Sequence, residues 1–211
     1  ATHHLFEAVR ALGTPVPVLV PGSALVYQPS LSALDEEAAI GPNNPYATSK
    51  LAQEQLSLHV ARDEGWPVFV TRSFPHIGPR QDPLGAYAAV IPLWAAAMLA
   101  GQPVHINGDG ETSRDFCFVA NAVQANLLAA TTTQDTAINE VYNVAVGDQT
   151  TLNQLHTMLS AELRQCQPGL DIAPPVYRDF RAGDVRHSRA DIAKAADRLG
   201  FTPTHDIQSG M

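Results

Sequence analysis

Lysine is nearly missing from this sequence. Of the 13 basic residues among 211, two are lysines, Lys50 and Lys194. No basic run occurs and the formal net charge is −8, so nucleic acid is not an expected partner. Cysteine is equally scarce. Cys117 and Cys166 define no disulfide framework, and both are expected to be buried apolar residues rather than nucleophiles. No apolar run has membrane-spanning length; residues 90–99 are too few and include Pro92. With no such run and no signal-type segment in these residues, no membrane partner is expected and a cytoplasmic location is the default. The eight histidines are scattered without His-Cys-carboxylate spacing, so no metal site is expected. What remains is ordinary globular composition, 45% hydrophobic and 16% charged, in a chain long enough for one large or two small domains.

One of the two lysines lies in Asn43-Asn44-Pro45-Tyr46-Ala47-Thr48-Ser49-Lys50, which reads as a helix start. Asn44 suits the N-cap and Pro45 the first helical position. No Pro or Gly follows until Gly65, so the helix runs about five turns. Tyr46 and Lys50, four apart, share one face. A fixed ammonium one turn away favours the phenolate of a tyrosine, which could then exchange a proton with an alcohol. Spacing alone favours an ordinary exposed pair; the scarcity of lysine weighs against chance.

Upstream, residues 16–20 form a short β-branched apolar run that ends in Pro21-Gly22-Ser23. This is the pattern of a buried parallel strand and its exit loop, and such a strand expects a neighbour on each side. Open α/β sheets bind ligands at the carboxyl ends of their strands, where Ser23 would sit.

Ser23, Tyr46 and Lys50 together resemble the triad of the extended short-chain dehydrogenase/reductase family, the branch that modifies sugar nucleotides. Four further stretches carry the resemblance over nearly the whole chain. They are Gly22-Ser23-Ala24-Leu25-Val26-Tyr27, the segment 107–116 with Gly108-Asp109-Gly110 and Arg114-Asp115-Phe116, Val141-Tyr142-Asn143-Val144-Ala145, and Arg181-Ala182-Gly183-Asp184. The chain looks most like UDP-N-acetylglucosamine and UDP-glucose 4-epimerases. The resemblance implies NAD as cofactor, a nucleotide-sugar substrate and a homo-oligomer or partner chain. It implies an α/β fold with an incomplete Rossmann-type parallel sheet, residues 1–77, and a smaller α+β substrate-binding part, residues 78–211, whose strand 141–146 returns to the sheet.

The implied roles follow the family motifs. Tyr46 would take the proton from the sugar O4, Ser23 would hydrogen-bond that oxygen, and Lys50 would hold the nicotinamide ribose. Phe74 lies where the backbone approaches the nicotinamide. Ala89, Val90, Trp94, His105, Ile106 and Asn107 match uracil and sugar contacts, and Arg114, Arg181 and Asp184 match the nucleotide end. Arg forks suit phosphate oxygens, although without the resemblance the segment 180–188 reads as a solvated charged loop. One departure stands out: family members carry a substrate-binding Asn where this chain has Pro75.

In order, helices are expected over residues 1–12 (with Leu5, Ala8, Val9 and Leu12 on one face), 85–100 (interrupted near Pro92), 122–130, 151–164 and 191–199. Strands are expected at 66–72, 104–107 and 141–146, with a polar loop over 28–43. Gly108-Asp109-Gly110 has Ser113 where a dinucleotide fingerprint needs its third glycine, so it reads as a turn.

Two rivals remain open. The first eighty residues, through Ser73-Phe74-Pro75-His76-Ile77-Gly78-Pro79, look closer to GDP-mannose dehydratases and GDP-4-keto-sugar reductases. Dehydration needs a carboxylate just after the strand-end hydroxyl, where Ala24 and Leu25 stand, so reduction is the better of the two. The other rival is a catalytically incomplete piece that binds nucleotide weakly or pairs with another chain. These 211 residues contain no Gly-rich pyrophosphate loop, and they look like the middle and C-terminal part of a larger protein.

The purified 211-residue polypeptide is therefore expected to carry little NAD, read by absorbance after denaturation, and to epimerise UDP-sugars far below about 1 per second, an ordinary enzymatic rate. Turnover at that rate by a monomer would show that the loop is dispensable.

Overall fold

The structure is a computed structural model that describes residues 1–85, 89–181 and 183–211. Helix α1 (Thr2–Ala11) leads into strand β1 (Val18–Pro21), helix α2 (Pro45–Glu64) and strand β2 (Val68–Ser73). Next come β3 (His76–Ile77), α3 (Val90–Leu99), β4 (His105–Asn107), β5 (Ser113–Arg114), β6 (Cys117–Phe118) and α4 (Val119–Thr131). The chain continues with β7 (Glu140–Val144), β8 (Thr150–Thr151), α5 (Leu152–Cys166), β9 (Val176–Arg178), β10 (His187–Ser188) and α6 (Ala193–Leu199). Among the described residues no helix is long and apolar enough to cross a membrane.

The main sheet has the order β1-β2-β7, all parallel. Val18 pairs with Val68, and Phe69 with Glu140, so the C-terminal segment 140–144 does return to the sheet of the first part. Successive residues of a strand face opposite sides. Val18, Val20, Val68 and Val70 pack against Phe6 and Val9 of α1 and Val60 and Ala61 of α2. Leu19, Phe69, Tyr142 and Val144 pack against Ala125 and Ala129 of α4 and Leu199 of α6. Burial on both faces is why the strands read as continuous apolar runs.

The expected second neighbour of β1 is not seen among the described residues. The N–H groups of Val18 and Gly22 bond toward β2, to Pro67 O at 2.9 Å and Thr71 O at 2.7 Å. Alternate residues point the other way, which places Pro17, Leu19 and Pro21 on the open edge. Neither proline has an N–H to offer, and the Pro21 carbonyl already accepts Lys50 Nζ at 2.8 Å. That edge therefore has fewer free groups than an ordinary edge strand.

A second core of Ile77, Trp94, Met98, Val104, Ile106, Phe116, Leu155 and Leu159 lies among α3, α5 and the short strands. Helix α5 starts with a capping box. Gln154 N–H donates to Thr151 Oγ1 at 3.1 Å, and Thr151 N–H donates to Gln154 Oε1 at 2.8 Å.

Several expectations shift. On α1 the packed residues are Phe6 and Val9, while Leu5 and Leu12 are exposed, because the helix touches its neighbours along one narrow stripe. The helix expected from Gly85 begins at Val90; residues 86–88 lie outside the described residues. Pro92 does not interrupt it, being in the first turn, where a missing N–H breaks no helical bond. Cys117 is buried, which pushes its thiol up to about 12. Cys166 is exposed at the last residue of α5, beyond the packed leucines, so the expectation of burial fails there.

Helix α2 is held by charge as well as by apolar packing. Arg72 of β2 donates from Nε to Glu54 Oε2 at 3.0 Å and from Nη2 to Glu54 Oε1 at 2.6 Å, both side chains about 5% exposed. Its Nη1 donates to the Glu36 carbonyl at 2.9 Å, and the guanidinium lies 4.8 Å from the Tyr27 ring centroid. Burial opposes the Arg72 charge, but the Glu54 hydrogen bonds and Tyr27 more than offset it, and its pKa rises. Removing one partner of a buried pair strands the other charge. Glu54→Ala is expected to cost about 3–5 kcal/mol in urea unfolding. Glu54→Ala with Arg72→Met should cost less than the two single losses added; simple additivity would mean the pair is not coupled.

Candidate active site

The carboxyl ends of β1 and β2 open into a cleft of about 790 Å³. Gly22 makes the exit from β1. A Cβ there would lie 2.7 Å from the Thr71 carbonyl that its own N–H bonds, so the close strand contact needs glycine. Ser23 follows, 6% exposed, and its Oγ accepts the Leu25 N–H at 3.2 Å, capping a short turn over Ala24–Val26.

Tyr46 and Lys50 reach the same cleft from α2. Asn44 caps that helix through Oδ1, which accepts the Ala47 N–H at 2.9 Å, and Pro45 opens it. Gly65, at φ 70°, ends it with its N–H on Ala61 O. Lys50 Nζ lies 5.9 Å from the Tyr46 ring centroid and donates to Pro21 O at 2.8 Å. The ammonium thus ties the first turns of α2 to the end of β1, beside Ser23. Tyr46 is half exposed, and its hydroxyl has no hydrogen-bond partner among the described residues.

The exit of β2 forms a second wall with Ser73, Phe74, Pro75 and His76. Phe74 is buried against Tyr27, Leu34, Ala145 and Ala190. A third wall carries Arg114, Arg181 and Asp184, so the residues matched to the nucleotide end converge on the cleft. Arg114 is not an open cation: its Nη2 donates to Asp184 Oδ1 at 2.6 Å and its Nη1 to Ser113 O at 2.7 Å. Burial pulls the Arg114 pKa down, and Asp184 opposes that pull. Arg181 is exposed and has no carboxylate partner among the described residues.

The other expected contacts lie elsewhere. Ala89, Val90, Trp94, His105, Ile106 and Asn107 are not among the described residues that line the cleft. Trp94 and Ile106 are core residues, 4% and 0% exposed. Strand alternation turns His105 and Asn107 of β4 outward to solvent. Gly108 and Gly110, at φ 77° and 80°, form the expected turn. Its Asp109 takes a bidentate pair from Arg186 at 2.8 and 2.6 Å, which holds the carboxyl down at about 2.

Asn143, Asp115 and His76 lie in stretches the sequence singled out, but their individual roles were not read from it. Asn143 Nδ2 donates to Leu34 O and Asp191 O, and its Oδ1 accepts the Tyr27 hydroxyl at 2.7 Å. Asp115 accepts the N–H groups of Val146, Gly147 and Ala190, while burial pushes its carboxyl up to about 6. His76 lines the cleft with one ring nitrogen unpaired.

Comparison with known proteins agrees with this geometry. Over its whole length the chain is 31% identical to the UDP-glucose 4-epimerase of Mycolicibacterium smegmatis, of which it spans 64%. It is 32% identical, again over its whole length, to the GDP-6-deoxy-D-mannose reductase of Pseudomonas aeruginosa, spanning 68% of that protein. The crystal structure of Thermotoga maritima UDP-glucose 4-epimerase with UDP-glucose superposes on 99% of the chain with TM-score 0.87 and 34% identity, the chain covering 65% of it. Residues 1–145 match the family model itself, and the chain belongs to the NAD dependent epimerase/dehydratase family.

Proposed function

We propose that this chain supplies the proton-transfer residues and much of the sugar-nucleotide cleft of an NAD-dependent 4-epimerase acting on a UDP-hexose of the glucose or N-acetylglucosamine type. The observation that carries this reading is that Ser23, Tyr46 and Lys50 meet in one cleft at the strand ends, opposite Arg114, Arg181 and Asp184. The family is described as NAD dependent. Bound NAD supplies a hydride acceptor and donor for C4; the unpartnered Tyr46 hydroxyl, the Lys50 ammonium and the Phe74 backbone are the groups here that suit its nicotinamide end.

Tyr46, as the phenolate, takes the O4 proton as C4 is oxidised and returns it on reduction. The Ser23 hydroxyl, held by its turn, hydrogen-bonds the same oxygen. The Lys50 ammonium, 5.9 Å from the Tyr46 ring centroid, orients the nicotinamide ribose. Arg181 meets the diphosphate, with Arg114 and Asp184 beside it. Association with a second chain belongs to the same reading: α4 leaves Val119, Val123 and Leu127 exposed at four-residue spacing, an apolar stripe suited to cover.

A second reading, reduction of a GDP-4-keto sugar, is favoured by the match of this whole chain to 68% of the Pseudomonas aeruginosa reductase. Elimination is not favoured. Ala24 and Leu25 line the cleft beside Ser23, and neither can protonate a leaving group.

Calorimetry with UDP-glucose, UDP-N-acetylglucosamine and GDP-mannose separates the readings, and tight binding of GDP-mannose alone would overturn the first. Arg181→Ala is expected to weaken UDP-glucose binding by about 1.5–3 kcal/mol, the scale of a hydrogen bond to a charged group. In any preparation that epimerises UDP-glucose, Tyr46→Phe should lower kcat by about 10²–10⁴ with binding nearly unchanged. An active Tyr46→Phe enzyme would remove Tyr46 from the chemistry.

A further inference from the structure

The loop between Arg178 and Arg186 is fastened at both ends to a single turn, Gly108-Asp109-Gly110. At the entering end β9 runs beside β4, with Arg178 opposite Asn107, and the Gly108 N–H donates to Arg178 O at 2.8 Å. Two residues on, the Phe180 ring lies against Gly108, where a Cβ would collide with it. At the leaving end, Arg186 Nη1 donates to Asp109 Oδ1 at 2.8 Å and Nη2 to Oδ2 at 2.6 Å. The Arg186 carbonyl accepts the Ser113 N–H at 2.9 Å. Its guanidinium lies 5.1 Å from the Phe180 ring centroid, so the two ends of the loop also touch each other.

The turn has its own anchors. Asp109 Oδ1 accepts the Glu111 N–H at 3.0 Å. Asn153 of α5 donates from Nδ2 to Asp109 O and from its N–H to Gly110 O, both at 3.1 Å. Asn153 sits against Gly110 as Phe180 sits against Gly108. Each glycine thus leaves room for a side chain that ties the turn to another segment.

What the loop carries is the cleft wall. Arg181, Gly183, Asp184 and Val185 line the cleft, whereas Asp109, Phe180 and Arg186 are not among the described residues that do. Arg181 is exposed, and its carbonyl accepts the Asp184 N–H at 3.2 Å. The fork at the foot of the loop is exposed too, Arg186 at 39% and Asp109 at 50%. Such a pair adds little to global stability. Its two parallel bonds do fix a distance and a plane, and so limit where the loop can go.

We propose that Arg186 and Asp109 are positioning residues, whose fork sets the place of Arg181 at the cleft and thereby the grip of the cleft on a diphosphate. The assignment rests on the nucleotide-sugar reading above. Ordering a loose arginine at the moment of binding costs affinity, and a loop fastened beforehand avoids that cost.

The test is calorimetry of UDP-glucose on the 211-residue chain. The variants are Arg186→Gln, Arg186→Lys, Arg181→Ala, and Arg181→Ala combined with Arg186→Gln. Arg186→Gln should lose about three- to tenfold in affinity, the ordering cost of one long side chain, while its thermal melt stays near wild type. Arg186→Lys, which keeps the charge without the fork, should recover part of the loss. In the Arg181→Ala background Arg186→Gln should cost nothing further, because the residue it positions is gone. Full affinity in Arg186→Gln, or the same loss with and without Arg181, overturns the proposal. Wild-type affinity in Arg181→Ala overturns instead the diphosphate role of Arg181, and a wild type that does not bind UDP-glucose overturns the nucleotide-sugar reading itself. Should Arg186→Gln fail to fold, Asp109→Asn takes its place in the cycle with the same expected outcomes, since it keeps an oxygen for the Glu111 N–H and loses the charge.

Discussion

Glu54 and Arg72 are charged and buried, and the helix that carries Tyr46 and Lys50 is held to the sheet through them. The buried positions of α2 are Ala47, Glu54, Ser57, Val60 and Ala61. Only Val60 among these is a sizeable aliphatic, worth about 1.5–3 kcal/mol, with Leu56 and Leu58 packing at the margin of the core. Apolar packing of small residues also leaves a helix free to slide or rotate. A two-bond fork between guanidinium and carboxylate does not, because both distance and plane are set. Desolvating the two charges is costly, and the cost is met here by completing the bonds of Arg72 with Glu36 O and the Tyr27 ring. The pair thus supplies direction more than stability. It fixes the rotation of α2, and with it the angle at which Tyr46 and Lys50 enter the cleft.

The same guanidinium starts a chain of buried polar contacts that builds the remaining walls. Arg72 fixes the backbone of Glu36, whose own carboxylate accepts the Asn143 N–H at 2.7 Å on the far edge of the sheet. Asn143 in turn binds Leu34 O, Asp191 O and Tyr27. The polar loop 28–43 is therefore stitched across the strand ends instead of hanging free. Leu34 bridges to Ala190, and Asp115 grips Ala190 N–H from beneath. Segments distant in sequence reach one cleft because these buried donors find their acceptors in segments far along the chain.

What could be read in the sequence was what is local. The cap at Asn44, Pro45 behind it and the glycine stop at Gly65 act within a turn or two, so residue types alone announce them. Strands β1 and β2 were legible because burial on both faces gives each an apolar, β-branched run, Val18 to Val20 and Val68 to Val70. The Ser23, Tyr46 and Lys50 grouping was legible only through family motifs, since the spacing of Tyr46 and Lys50 has an ordinary surface explanation. Glu54 and Arg72 were not legible at all. In sequence each is a charged residue in a helix or at a strand end, and only the packing of α2 on β2 makes them a pair. His76 failed for a related reason, because an unpaired nitrogen is a property of its surroundings. The burial of Trp94 and Ile106 was not legible either: the motif match names them as substrate contacts, and it is β4 alternation and the packing of α3 that bring them into the core.

The Arg114–Asp184 pair bears on how such a cleft can hold an anion in a chain of net charge −8. A lone guanidinium as buried as Arg114 would carry an unmet desolvation cost. Asp184 offsets that cost, yet the carboxylate is itself 39% exposed, and ion pairs in contact with water are weak. Exchanging Asp184 for a phosphate oxygen then costs little, while Arg114, already desolvated and oriented by the Ser113 carbonyl, attracts the incoming charge more strongly than a surface arginine would. An acidic residue beside the arginine proposed to meet phosphate is thus no contradiction. It keeps the cation in place, charged and aligned until a ligand replaces it.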